Sequence, residues 1–233
     1  MSAPEAPVPD VPAAFAAVLA EAFAARPGPR FTLVLSGGPT ARLCYEAAAG
    51  LPPGTVEWPA VDVYMGDERL VPADDPDANQ RLVREVLVDR VGGVGTFTPM
   101  PTGGDPDACA AEYQRVVAAL LSGPGIDMIH LGMGPDGHTA SLFPGAPTLA
   151  AGPGELVVAT EDPSGANPHP RLSLTLPAID RARLAVFTVA GEAKRDAVAR
   201  LRAGADLPAA RVAAAEVRWL VDEAAFGATG AAA

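Results

Sequence analysis

The sequence predicts an α/β fold, a Rossmann-like, mostly parallel sheet with helices on both faces. Three observations carry that prediction. Apolar runs of strand length alternate with stretches of helical periodicity, the pattern of repeated βα units. Bends rich in glycine or charge follow the runs that end at Leu35, Met65 and Leu131, and strand ends of this kind are where open α/β sheets keep their chemistry. Hydrophobic residues make up 49% of the 233-residue chain, enough for a sizeable core.

Asp10 ahead of Val11-Pro12 starts a helix, in which Phe15, Val18, Leu19, Ala22 and Phe23 recur at helical spacing until Pro27-Gly28 stops it. Phe31 to Leu35 is a strand, Ser36-Gly37-Gly38 a bend, and Thr40 to Ala49 a helix carrying Leu43, Tyr45 and Ala47. Val61 to Met65 is the second strand, ending in Gly66-Asp67-Glu68-Arg69. The turn-rich Pro76 to Ala78 leads into a helix with Leu82, Val83, Val86 and Leu87 on its apolar side. Asp105-Pro106 opens a helix running to about Leu121, its proline in the tolerated first turn. Ile126 to Leu131 is the central strand. Val157 to Thr160 and Leu184 to Val189 are further strands, Gly191 to Arg202 a helix, and Val217 to Val221 a last strand before a short terminal helix. No internal repeat is present, so one domain is expected over 10–226, with the Ala- and Pro-rich ends, 1–9 and 227–233, as loose tails.

A formal net charge of −11 argues against nucleic acid or an anionic membrane as partner. An anionic substrate would need a local group of cations to overcome that field. The opening residues lack a basic region followed by an apolar one, and no later apolar stretch is long enough to span a bilayer, so a cytoplasmic location is expected. Cys44 and Cys109 have no metal-type spacing and read as small buried apolar residues. Three histidines without His/Cys/Glu spacing speak against catalytic zinc, and no G-x-S-x-G elbow is present. A metal-free, non-covalent mechanism is the simplest expectation.

The most informative stretch is Gly132 to Gly145, which sets Asp136 and His138 two residues apart at the end of the central strand. An imidazole titrates near pH ~6.5, so His138 beside a carboxylate suits a general base. His130, inside the apolar strand, reads as a packed structural residue, and His169, between two prolines, as an exposed loop residue. Gly132-Met133-Gly134-Pro135-Asp136-Gly137 formally matches the dinucleotide pattern G-x-G-x-x-G. Pro135 has no N–H, however, Asp136 would lie beside an anionic pyrophosphate, and the match comes too late in the chain. Ser141 reads as a residue opening a following helix.

The Ser36-Gly37-Gly38-Pro39-Thr40 junction offers backbone N–H groups at a helix start, an anion site or simply a tight turn. Gly66-Asp67-Glu68-Arg69 adds two carboxylates and a guanidinium at the same rim, as site or as solvated turn. Arg171 and Lys194 complete a candidate cationic patch. Lys194 is the only lysine among the chain's 17 lysines and arginines, and a cation near a helix N-terminus is locally unfavourable, which suggests that a ligand holds it there.

Together, Ser36-Gly37-Gly38, Gly66-Asp67-Glu68-Arg69-Leu70-Val71-Pro72 with Asn79, the Asp136-Gly137-His138-Thr139-Ala140-Ser141-Leu142-Phe143-Pro144-Gly145 loop, Arg171 and Gly191-Glu192-Ala193-Lys194 resemble the 6-phosphogluconolactonases. The order and intervals fit from about Val11 to Ala225, and the long central motif is the specific part. The resemblance implies a fold shared with glucosamine-6-phosphate deaminases, and hydrolysis of 6-phospho-D-glucono-1,5-lactone to 6-phosphogluconate, the second step of the pentose phosphate pathway. It implies a small sugar-phosphate lactone as the partner, no cofactor, and a monomer or weak homodimer. By that likeness His138 activates water with support from Asp136. Ser36, Gly37, Gly38, Thr40, Asp67, Arg69, Asn79, Arg171 and Lys194 hold phosphate and sugar oxygens. The chain departs from the family's usual Ser-Gly-Gly-Ser-Thr-Pro turn at Pro39 and Ala41, and Ala78 replaces a common serine before Asn79. The nearest rival, an amino-sugar phosphate deaminase, carries an acidic residue before its Pro-Gly, where this chain reads Leu142-Phe143. A sugar-phosphate sensor would need an output segment that is not evident.

Overall fold

The computed structural model describes residues 2–227, and within them lie nine strands. These are β1 (Phe31–Leu35), β2 (Val61–Met65), β3 (Asp67–Arg69), β4 (Thr96–Thr98), β5 (Ile126–Gly132), β6 (Val157–Thr160), β7 (Arg171–Leu174), β8 (Ala182–Val189) and β9 (Glu216–Val221). Six form one parallel sheet in the order β4-β2-β1-β5-β8-β9. Every residue of β1, and nearly every residue of β5 and β8, is buried. Burial at successive positions means that both faces are covered, as parallel strands require.

The helices are α1 (Val11–Ala24), α2 (Pro39–Ala49), α3 (Asn79–Val83), α4 (Pro106–Ser122), α5 (Leu176–Ile179), α6 (Arg195–Arg202) and α7 (Glu223–Phe226). Asp10 caps α1 by accepting from the Ala13 N–H at 2.9 Å, and Asp105 caps α4 by accepting from the Ala108 N–H at the same distance. Both caps precede a proline that gives up an N–H the first turn does not use. Strand order reverses at the neighbours β1 and β5, with β2 outside the first and β8 outside the second. Their carboxyl ends therefore diverge into a crevice at the topological switch point.

The chain also holds a second sheet, β3-β7-β6, antiparallel and three-stranded. The expected charged turn after Met65 is thus a short strand, with Arg69 opposite Arg171 in register. Other expectations need correction. The helix after Ala78 widens into a π-turn at Arg84–Val88, and the helix near Gly191 becomes regular only at Arg195, after a 3₁₀ turn at Glu192–Lys194. No helix starts at Ser141, which lies in a tight turn bridged from Thr139 to Leu142, and the next helical residues are a 3₁₀ turn at Pro147–Ala150. His169 is half-buried, and its Nε2 lies 3.0 Å from Asp77 Oδ2. Residues 2–9, expected as a loose tail, lie along the sheet edge, where the Val8 N–H donates to the Val221 carbonyl and Trp219 Nε1 to Ser2 Oγ. Nearly all of the expected C-terminal tail, residues 228–233, falls outside the described residues. No helix among those described is long and apolar enough to cross a membrane.

Candidate active site

A cleft of ≈ 590 Å³ opens over the carboxyl ends of β1 and β5. Ser36, Gly37, Gly38, Thr40, Asp67, Arg69, Asn79, Asp136, His138, Arg171 and Lys194 all line it. Residues spread across most of the sequence are thus brought around one cleft by strand ends and helix starts.

The loop after β5 is folded by its own hydrogen bonds. The Gly134 N–H donates to the His138 carbonyl at 2.9 Å, and the Gly137 N–H to the Gly134 carbonyl at 3.0 Å. These glycine N–H groups turn inward, so they do not present the pyrophosphate cradle that the formal dinucleotide pattern would need. A Cβ on Gly134 would sit 2.2 Å from the His138 ring, so only glycine lets the imidazole fold back over the loop. Folded back, His138 Nδ1 lies 2.6 Å from Asp136 Oδ1. Burial pushes the Asp136 carboxyl up, but the hydrogen bonds and charge of His138 outweigh it and hold the group below the usual carboxylate range. Phe143 packs against the imidazole with ring centroids 4.8 Å apart. Ala140 takes φ 46°, a left-handed conformation that alanine rarely adopts. Bonds on either side hold it there, from Thr139 Oγ1 to the Gly132 carbonyl and from the Ser141 N–H to Ser173 Oγ.

At the end of β1, the Ser36 N–H donates to Tyr45 Oη, and Ser36 Oγ donates to the His130 carbonyl. Both donors face inward, so Ser36 shapes the turn while Gly37 and Gly38 carry its exposed backbone. Helix α2 starts at Pro39 without a side-chain cap. Its first turn leaves the Thr40 and Ala41 N–H groups without intrahelical acceptors, at the positive end of the helix dipole. The floor beneath is His130, wholly buried, with Nδ1 2.7 Å from Tyr45 Oη and Nε2 2.7 Å from Thr188 Oγ1. Burial pushes its pKa down to about 3, so the ring is neutral.

The small sheet supplies the opposite wall. Asp67 Oδ2 accepts from Ser141 Oγ at 2.8 Å and lies 4.0 Å from Arg171 Nη1. Asn79 Nδ2 donates to the Asp67 carbonyl, leaving Asn79 Oδ1 buried without a donor beside Gly37. A Cβ on Gly37 would fall 1.7 Å from that oxygen, so glycine is required there. Arg171 is buried, and burial lowers its pKa while Asp67 works in the other direction. Lys194 is held at the cleft by a turn anchored through the Gly191 N–H, which donates to the Asp222 carboxylate. Burial lowers its pKa too, against the nearby charge of Asp136.

Sequence reasoning missed Asp162, Ser164 and Asn167, which also line the cleft. Desolvation pushes the Asp162 carboxyl up, but bonds from Asn167 and Ser164 bring it down to about 2. Asn167 Oδ1 in turn accepts from Arg171 Nη2 at 3.3 Å. The Asp-Pro-Ser-Gly-Ala-Asn composition, typical of side-chain-closed turns, was the available signal. Glu68, grouped with its neighbours as part of a rim cluster, is wholly buried. Among the described residues no three His, Cys, Asp or Glu side chains converge as a metal site would require.

Comparison with known proteins gives a consistent set of relatives. A sequence profile for glucosamine-6-phosphate isomerases/6-phosphogluconolactonase matches residues 3–221. A Synechocystis protein named 6-phosphogluconolactonase is 39% identical over 204 residues, covering 82% of each chain. The Mycobacterium tuberculosis protein of that name is 39% identical over 206 residues, 82% of this chain and 81% of its own. Among solved structures, 6-phosphogluconolactonase from Thermotoga maritima superposes with a TM-score of 0.79 at 27% identity, covering 93% of this chain and 98% of that one. A monomeric glucosamine-6-phosphate deaminase superposes with a TM-score of 0.80 over 97% of this chain and 98% of its own, but at 19% identity that likeness concerns the fold alone.

Proposed function

We propose, for a chain that belongs to the glucosamine-6-phosphate isomerase/6-phosphogluconolactonase family, that His138 is the base of a lactone-hydrolysing site. The protein is a 6-phosphogluconolactonase, a lactone hydrolase, acting on 6-phospho-D-glucono-1,5-lactone. The observation that carries the mechanism is the 2.6 Å contact between His138 Nδ1 and Asp136 Oδ1 at the cleft. With Nδ1–H donating to that carboxylate, the lone pair of the neutral ring is on Nε2, the nitrogen available to a water.

Nε2 takes a proton as the water attacks the lactone carbonyl, and Asp136 stabilises the imidazolium that forms. The same imidazolium can return the proton to the departing ring oxygen, so one histidine serves both halves of the reaction. The substrate phosphate, remote from the reacting carbon, is held by the Gly37-Gly38 turn and the start of α2 together with the cleft's cations. Its binding energy orients the lactone for attack. Asp67 and Asn79, which line the cleft, face the sugar hydroxyls. The reaction produces 6-phosphogluconate in the second step of the oxidative pentose phosphate pathway. The partner is a small sugar-phosphate lactone, and the working location is the cytoplasm.

The deaminase reading lacks its acid. Leu142 and Phe143, both wholly buried, occupy the place before Pro144-Gly145 where that chemistry needs a carboxylate. Purified protein should open freshly generated 6-phosphogluconolactone well above its spontaneous rate and release no ammonia from glucosamine 6-phosphate. The reverse pattern would replace lactone hydrolysis with deamination.

A further inference from the structure

Three backbone N–H groups converge on one buried carboxylate beside the cleft. Glu68 Oε1 accepts from its neighbour Arg69 at 2.8 Å and from Asn79 at 2.7 Å, and Oε2 accepts from Gln80 at 2.7 Å. Asn79 and Gln80 are the first two residues of α3, whose own cap position, Ala78, has no side-chain hydrogen bond. Ala78 has the extended backbone of a cap residue, φ −72° and ψ 124°, but no oxygen to use. Glu68 therefore caps α3 from another element, closing the loop 70–78 between two cleft residues, Arg69 and Asn79.

We propose that Glu68 is a positioning residue for substrate binding, standing in for the cap that Ala78 lacks and holding Arg69 and Asn79 at the cleft. The assignment to binding rests on the lactonase reading, whereas the capping role does not. Arg69 ends β3 and Asn79 starts α3, and the carboxylate ties the two together, so their side chains move if it lets go. Burial also pushes the Glu68 pKa up, against its three N–H donors and with the help of Asp67, to about 7. The other groups that feel its charge are Arg171 on β7 and Tyr113 on α4. Loss of a proton completes the cap as the pH rises through that value. A folded pKa above the unfolded one also means that stability falls as the pH rises from about 4.5 to about 7, so capping and global stability run in opposite directions.

The test compares wild type, Glu68→Gln, Ala78→Ser and the double variant. A glutamine offers one acceptor and turns an NH₂ toward the remaining N–H groups, whereas a serine at 78 has the geometry to accept from the start of α3. Hydrogen exchange at the Arg69, Asn79 and Gln80 amides should accelerate in Glu68→Gln at pH 8, and Ala78→Ser should restore protection at α3. On 6-phosphogluconolactone, KM should rise about tenfold at pH 8, the scale of one lost cap, with kcat little changed and partial rescue in the double variant. Between pH 8 and 6 the KM ratio of Glu68→Gln to wild type should fall toward one, while the substrate phosphate titrates equally in both. If Glu68→Gln does not fold, wild-type exchange at Asn79 and Gln80, corrected for intrinsic rate, must rise from pH 8 to 6. Unchanged protection at those amides, or a KM ratio that stays constant with pH, overturns the proposal. Changed protection in a protein without lactonase activity would instead overturn the function and leave the cap standing.

Discussion

His130 and His138 lie on the same strand and its loop, yet they occupy opposite chemical worlds. His130 is wholly buried in β5, bonded on both ring nitrogens to neutral hydroxyls, and neutral because burial opposes its charge. His138 stands at the cleft with one nitrogen on a carboxylate, and no protein group is bonded to the other among the described residues. An imidazole satisfied on both sides can only brace. One held on a single side, with a charge behind it to stabilise its protonated form, can move a proton.

The contrast breaks most sharply on His138. His138→Ala should lower kcat for lactone opening by about 10³-fold, within the usual range for a general base, while binding of 6-phosphogluconate measured by calorimetry stays within a few-fold. Asp136→Asn should cost about 10²-fold, because an amide can hold the ring without stabilising its charge. A wild-type rate in either variant would leave the two histidines undistinguished.

His130 should respond in stability instead. His130→Ala should cost about 2–4 kcal/mol in denaturant unfolding, from a cavity and two orphaned hydroxyls, with kcat falling less than tenfold. The acid dependence sharpens the point. The folded pKa of about 3 is below the unfolded value, so the neutral ring's stabilising contribution is whole above pH ~6.5 and falls with acid down to about pH 3. The slope is about 1.4 kcal/mol per pH unit. Between pH 7 and 5, wild type should lose about 2 kcal/mol more than His130→Gln, and equal losses would deny the neutral, buried state. The smallest effects belong to the cations. Lys194→Ala should raise KM about tenfold with kcat nearly kept, and an unchanged KM would take it out of the phosphate site.

Much of this contrast was legible in the sequence. A histidine inside Ile126 to Leu131 sits in an apolar run too long to be anything but core, and one after Asp136-Gly137 lies in a turn at a strand end. Five of the six parallel strands were legible as apolar runs, most continuous where both faces are buried, whereas β4 was not, being three residues long and unburied. Of the small sheet only Val157 to Thr160 was legible, since Asp67-Glu68-Arg69 has no apolar residue, and Arg171-Leu172-Ser173-Leu174 is short and carries an arginine whose burial depends on Asp67, Ser141 and Asn167. Glu68 was legible only as charge. Its burial is a consequence of a loop that returns Asn79 and Gln80 to it, a tertiary fact with no local signature. The cleft's eleven expected residues were named from strand ends, charge and the family resemblance, whereas Asp162, Ser164 and Asn167 lie in a turn whose composition marks it as a turn and nothing more.

The central claim is that His138 keeps its proton on Nδ1, against Asp136, and offers an Nε2 lone pair to water. Nitrogen-15 NMR of histidine-labelled protein, at a pH where the ring is neutral, reads this directly. The account predicts a protonated Nδ1 and an unprotonated Nε2 for His138 in wild type, with that preference weakened in Asp136→Asn. A neutral His138 carrying its proton on Nε2 in the wild-type protein would contradict it.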